Sequence, residues 1–171
     1  MTMVGVRRAL PEDVDAVVDM FVAVVEEGRW LGSQPPVDRD AQYERFRHDA
    51  TSEEAVSLVA VVDSEIVGHA RVDVAPYKVA GLGMMVDARW RGRGVGGALV
   101  SASVDAARDL GAHKVALQVW PHNDAARRLY RRHGFVEEGL LRRHYPRRNG
   151  ELWAAVIMGL FLDETSPGSS L

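Results

Sequence analysis

Four glycines, Gly92, Gly94, Gly96 and Gly97, stand where an apolar run ends and an amphipathic one begins. The run before them, Leu82-Gly83-Met84-Met85-Val86, reads as a buried strand, and the run from Val95 onward reads as a helix. A glycine-rich turn between a strand and a helix N-terminus binds anions, because backbone N–H groups point outward there and the helix dipole favours negative charge. Glycine is needed where a side chain would keep a pyrophosphate from the backbone. The chemistry implied is the binding of a phosphorylated ligand.

Residues 92–97 fit the dinucleotide pattern G-x-G-x-x-G, but that fold also wants an acidic residue about 20 positions on, at the end of the next strand. Here that strand, residues 115–119, runs into Trp120-Pro121. The nucleotide-triphosphate loop requires Gly-Lys-Ser/Thr, and this chain has Gly97-Ala98-Leu99. The spacing Arg91-x-x-Gly94-x-Gly96, in contrast, resembles the coenzyme A loop of the GCN5-related N-acetyltransferases. A second stretch, residues 123–135, resembles that family's next motif: Asn123, a short helix carrying Leu129-Tyr130, then Gly134-Phe135. The likeness runs from about residue 57 to residue 160, and the first 56 residues match only in pattern. The ending, with Tyr145, Asn149-Gly150-Glu151-Leu152-Trp153 and Met158-Gly159-Leu160, looks most like the amino-acid and phosphinothricin branch.

The resemblance implies acetyl-CoA as the bound cofactor and a direct acetyl transfer to a primary amine. By it, the backbone amides of Met84, Met85 and Val86 would bond the pantetheine and polarise the thioester carbonyl. Residues Arg91, Gly92, Arg93, Gly94, Val95, Gly96 and Gly97 would cradle the pyrophosphate. Asn123 and Ala126 would contact the pantetheine arm, with a helix N-cap as the other reading of Asn123. Tyr130 would protonate the leaving sulfur, with a core aromatic as its other reading. Some family members carry a glutamate on the strand before the loop, and residues 80–83 offer no carboxylate. Asp73, His122, Glu26 and Glu27 are the candidates for a base from elsewhere. The acceptor should be read by Trp30, Tyr77, Trp120 and Tyr145, on the variable loops.

Composition bounds the alternatives. With 171 residues and 47% hydrophobic content, the chain can bury one substantial core. There is no cysteine, which excludes disulfides, thiolate metal sites and cysteine nucleophiles. The histidines lack metal-ligand spacing, and no metal is expected. A net charge of −3 argues against a nucleic-acid partner despite arginine clusters at residues 127–132 and 142–148, which read as solvated faces. No apolar run approaches a membrane span and no signal peptide stands at the start, so a cytoplasmic protein is expected.

The elements that must position these groups are legible. Residues 4–8 read as a strand, and Pro11-Glu12-Asp13 starts a helix whose stripe is Val14, Val17, Val18, Phe21, Val24 and Val25. Asp38 or Asp40 caps a second helix carrying Tyr43 and Phe46. Strands follow at 57–62, 66–74 and 79–86, then a helix at 95–110, a strand at 115–119, a short helix after Asn123, and a hairpin of 135–144 with 152–161. In the short helix Ala125, Ala126, Leu129 and Tyr130 share a side. This is an α+β, mixed α/β order. It agrees with the fold the resemblance implies: a mixed, mostly antiparallel sheet flanked by helices and splayed between two parallel strands, here 79–86 and 115–119. One domain over residues 1–162 and a flexible tail at 163–171 complete the expectation. The acceptor is expected to be a small molecule such as an amino acid, a polyamine or a foreign amine. A protein N-terminus or lysine is the rival, as is a non-catalytic acyl-CoA sensor. The family likeness also implies a tendency to form homodimers.

Overall fold

Apolar runs buried on both faces make the middle of the chain a meander of three antiparallel strands. β2 (Ala55–Val62) and β3 (Glu65–Val74) meet at a turn in which Asp63 and Ser64 both take positive φ, 47° and 69°. That geometry matches the twist of the strands it joins. β4 (Val79–Val86) returns along β3, and β1 (Gly5–Arg8) lies along the other edge of β2. The computed structural model describes residues 3–162; the tail expected at 163–171 lies outside them. β5 (Lys114–Val119), β6 (Val136–Pro146) and β7 (Leu152–Phe161) complete a seven-stranded sheet of order β1-β2-β3-β4-β5-β7-β6. Every neighbouring pair is antiparallel except β4 with β5. The mixed, mostly antiparallel sheet is the one expected.

Helices cover both faces. α1 (Val14–Glu26) and α2 (Arg39–Thr51) bury one core with Val59 and Met85. All six residues of the expected α1 stripe are buried, and Asp38 caps α2 by accepting from the Ala41 amide at 3.0 Å. α3 (Val95–Asp109) and α4 (Asp124–Arg132) pack on the opposite face, where Val95, Leu99, Val100 and Val104 meet Ala70, Val72, Leu82, Val115 and Leu117. Two details differ from the helical wheel. Ala125 is exposed and Leu110 only half-buried, because each lies at a helix end beyond the sheet it would cover. The arginine clusters are not simply solvated: Arg127 and Arg131 converge on Glu137 of β6, and Arg147 is buried over the Trp153 ring.

One buried imidazole bears on stability. His69 of β3 is 5% exposed, edge-on to Phe46 with ring centroids 5.1 Å apart, and its Nε2 lies 2.9 Å from the Ser57 hydroxyl. Burial pushes its pKa down to about 4, with Arg45 and Arg71 adding to the effect and Asp49 opposing it. In the unfolded chain the ring titrates near 6.5, so below that pH unfolding takes up a proton that the folded protein refuses. Stability should therefore fall as pH drops from 6.5 towards 4. Denaturant titrations at pH 7 and pH 5 should show a loss of about 2 kcal/mol from this group. In His69→Gln the two curves should lie closer by that amount, and an unchanged pH dependence would assign the effect to other groups.

Candidate active site

The parallel strands part almost as soon as they meet. β4 and β5 pair at Val79↔Lys114, Ala80↔Val115 and Gly81↔Ala116 and no further. On its other edge β4 stays in register with β3 up to Val86↔Gly68, and β5 stays paired with β7 up to Val119↔Val156. The edge of β4 beyond Gly81 thus presents peptide groups to a gap. The Met84 and Met85 side chains are taken up in packing: Met84 lies under Gly96 on the α3 face, and Met85 sits in the core of α1 and α2. What these positions offer a ligand is backbone.

At the open end of the gap the chain makes its glycine turn. Asp87 accepts from the Arg89 amide at 2.9 Å and starts a 3₁₀ turn at Ala88–Trp90. Gly92 and Gly94 have φ of 72° and 87°, and Gly94 is the residue directly before α3. A Cβ at either would meet nothing within 4 Å, so their requirement is the backbone angle and an open outer side. Gly96 serves contact instead, since a Cβ there would stand 2.8 Å from Leu129 of α4. The first turn of α3 leaves amides without intrahelical partners, facing the turn. It is seated by Gly68 of β3, where a Cβ would come within 2.8 Å of Leu99 and 3.0 Å of Val95.

The Arg91 side chain has partners of its own. Its guanidinium holds Glu27, at the end of α1, through two contacts of 2.7 and 2.6 Å, and its Nε donates to the Val86 carbonyl at 3.1 Å. It therefore ties the loop to α1. The Arg93 guanidinium lies over the Trp90 ring at 5.3 Å. Glu27 also accepts from the Trp30 indole at 2.7 Å, and the hydrogen bonds from Arg91 hold its carboxyl below the usual range. A carboxylate so paired is a poor base. His122 is engaged as well, its Nε2 2.9 Å from the Arg29 carbonyl and its ring against Trp153.

Beside the gap, Asn123 caps α4: its Oδ1 accepts from the Ala126 amide at 3.2 Å. That occupies the Ala126 amide and leaves the Asn123 Nδ2 as the group able to meet a ligand. Tyr130 is 8% exposed, with its ring 5.6 Å from Phe135, in the core on the α3 face. Burial pushes its phenol up to about 12, so the proton that a phenol carries at neutral pH is held more firmly here.

On the other face of the same strands lies a cleft of about 390 Å³. Gly81, Gly83 and Ala116 form its floor, and Arg71, Asp73, Gln118 and Ile157 rise around it. None of the four aromatic residues expected to read the acceptor lines it. Trp120 is buried edge-on between Tyr145 and Trp153, and Tyr145 reaches the cleft only through its hydroxyl, which donates to Gln118. Trp30 belongs to the Glu27–Arg91 clamp, and Tyr77 stands exposed at the β3–β4 turn. Arg71 was not expected from sequence. Its signal was present: two charged residues at i and i+2, Arg71 and Asp73, in an apolar strand must share a face. No cluster of residues able to hold a metal occurs among the described residues.

A parallel pair that parts to expose peptide groups, beside a glycine turn at a helix start, defines a fold that lays an extended phosphorylated ligand into its own sheet. The chain belongs to the acetyltransferase (GNAT) family, whose sequence model matches residues 22–135. It is 37% identical over 106 residues to the L-amino acid N-acetyltransferase AaaT of Escherichia coli K12, an alignment covering 59% of this chain and 65% of that protein. The fold superposes on YncA of Salmonella typhimurium, whose structure contains its cofactor acetyl-CoA, with a TM-score of 0.83 at 21% identity, covering 98% of this chain and 99% of that one. It matches the ribosomal-protein-alanine N-acetyltransferase of Brucella melitensis equally well, at 0.83 and 23% identity over 92% and 99% of the two chains.

Gly68→Ala should cost about 1–3 kcal/mol in denaturant titrations, because Leu99 and Val95 are fully buried and cannot give way. It should also weaken coenzyme A binding by lifting the first turn of α3. Gly83→Ala, where a Cβ meets nothing within 4 Å, should leave stability nearly unchanged.

Proposed function

We propose that this protein is an acetyl-CoA-dependent N-acetyltransferase that moves the acetyl group directly to a primary amine of a small molecule. The observation that carries the reading is the unpaired edge of β4 in the gap, which continues into the glycine turn before α3. The amides of Met84 and Val86, which alternate with the β3-facing amide of Met85, would bond the pantetheine and the thioester oxygen, where donors aimed at developing negative charge lower the barrier most. The amides from Gly92 to Gly97 would hold the pyrophosphate, and the Asn123 Nδ2 the pantetheine arm. Tyr130, protonated at neutral pH as an ordinary phenol is, would deliver a proton to the leaving sulfur. The absence of cysteine removes the usual thiol carrier of an acyl group and favours transfer without an acyl-enzyme.

A small acceptor is supported by the size of the cleft, which is that of a small-molecule site, and by the likeness to an amino-acid acetyltransferase. The equal structural likeness to a ribosomal-protein acetyltransferase means that the fold alone does not choose between acceptors.

Thiol release from acetyl-CoA, measured against pools of small primary amines, should reveal turnover with at least one pool. Tyr130→Phe should slow that turnover by about 10²-fold while coenzyme A binding, followed by calorimetry, is retained. Gly94→Glu should abolish binding, because it removes the positive φ and puts a negative side chain where phosphate is expected. Normal binding by Gly94→Glu would refute the loop assignment, and wild-type turnover unaffected by Tyr130→Phe would refute the acid.

A further inference from the structure

The acetyltransferase reading leaves two questions: which group takes the proton from the acceptor amine, and what the cleft recognises. The residues lining the cleft include one carboxylate, Asp73, and one cation, Arg71. Both belong to β3, opposite Gly81 and Gly83 of β4. That register turns them to the face away from Tyr130, so the gap between β4 and β5 separates a proton donor from a carboxylate. Glycine on β4 leaves the pair uncovered: a Cβ at position 81 would lie 3.4 Å from the Asp73 Oδ1, and one at 83 would meet nothing. The other candidate bases are disposed of elsewhere. Glu27 is clamped by Arg91 and Trp30, His122 is held against Arg29 and Trp153, and Glu26 does not line the cleft.

We propose that the Arg71–Asp73 pair is the acceptor site, reading a zwitterion such as an α-amino acid. Arg71 takes the acceptor's carboxylate, and Asp73 takes its ammonium group and then its proton. In this structure the two residues bond each other at 2.6 Å with side chains 42% and 50% exposed. An ion pair that exposed is worth only about 0–1 kcal/mol, so an acceptor carrying both charges can open it at little cost. Arg71 does not drift when the pair opens, because its Nε is held at 3.0 Å by Asp49 of α2, whose side chain is 5% exposed.

The step balances. The ammonium gives one proton to Asp73, and the freed lone pair forms the C–N bond at the thioester carbon. The C–S bond breaks, and the sulfur leaves with its electron pair and takes a proton from Tyr130. The nitrogen sheds a second proton, which restores Tyr130 through water, and Asp73 discharges to solvent. The products are an amide, a thiol and one proton. A base on the cleft side is needed because an alkylammonium holds its proton to a pH of about 10.

The experiment compares the best L-amino acid acceptor with the amine that lacks only its carboxylate. The wild type should prefer the amino acid, and Arg71→Gln should abolish the preference. Asp73→Asn should lower kcat/KM by about 10²-fold or more and flatten the acidic limb of its pH profile. Coenzyme A affinity by calorimetry should be retained, which also reports folding, whereas binding of the amino acid to the coenzyme A-loaded protein should be lost. Asp73→Gly combined with Gly81→Asp moves the carboxylate across the strand pair into the same space and should recover at least tenfold over Asp73→Gly alone. A merely structural Asp73 would not be rescued in this way. An Asp73→Asn variant as active as the wild type, or equal turnover of the decarboxylated amine, overturns the assignment and leaves the acetyltransferase reading standing. No turnover of any amine by the wild type overturns both.

Discussion

A peptide group removed from water must find a partner, and that constraint governs this molecule. β4 and β5 stop pairing after Gly81↔Ala116, yet both continue through the centre of the sheet. Of the groups left over, the Val86 carbonyl accepts from Arg91, and the others can be satisfied by water or by a ligand with its own amides and carbonyls, since an unpaired buried one costs about 1–3 kcal/mol. A pantetheine chain has such groups. The gap therefore acts as a missing strand whose place an extended ligand can take.

What keeps the gap in place is close packing on one side and charge on the other. Gly68 allows the first turn of α3 to sit directly on β3, and Gly96 allows Leu129 of α4 to sit directly on α3. The glycine turn is thereby held from beneath, with its open side outward. Arg91 and Glu27 tie the same turn to the end of α1, at 35% and 29% exposure. Side chains that half-exposed contribute modestly to stability, and their importance is positional: they join the turn to the helix on the opposite face of the sheet.

The two faces of the sheet divide the labour. The α3 face is apolar and contains the protonated Tyr130, while the opposite face has the small charged cleft, whose Arg71 is bonded by Asp49 of α2. The family likeness follows the first face, where the glycine turn and the tyrosine helix lie. The second is lined by β3, β4 and the middle of β5 and β7, and its charged residues are Arg71 and Asp73 of β3.

Sequence alone determined what is local in the chain. Apolar periodicity marked the strands and helices, Asp38 and Asn123 marked helix starts, and the positive φ of Gly92 and Gly94 follows from a turn that other residues enter only under strain. Two motifs in order were enough to identify the parallel pair and its gap. Tertiary structure alone decided the fate of long side chains. Arg91 reaches Glu27, 64 residues away, while Trp120 and Tyr145, candidates for a pocket wall, pack against each other. Gly68 and the Arg71–Asp73 pair acquire meaning only from what the register sets opposite them. Backbone conformation is dictated over a few residues, so it can be read along the chain. A side chain's partner is chosen by strand order and helix packing, which bring together groups that no local pattern relates.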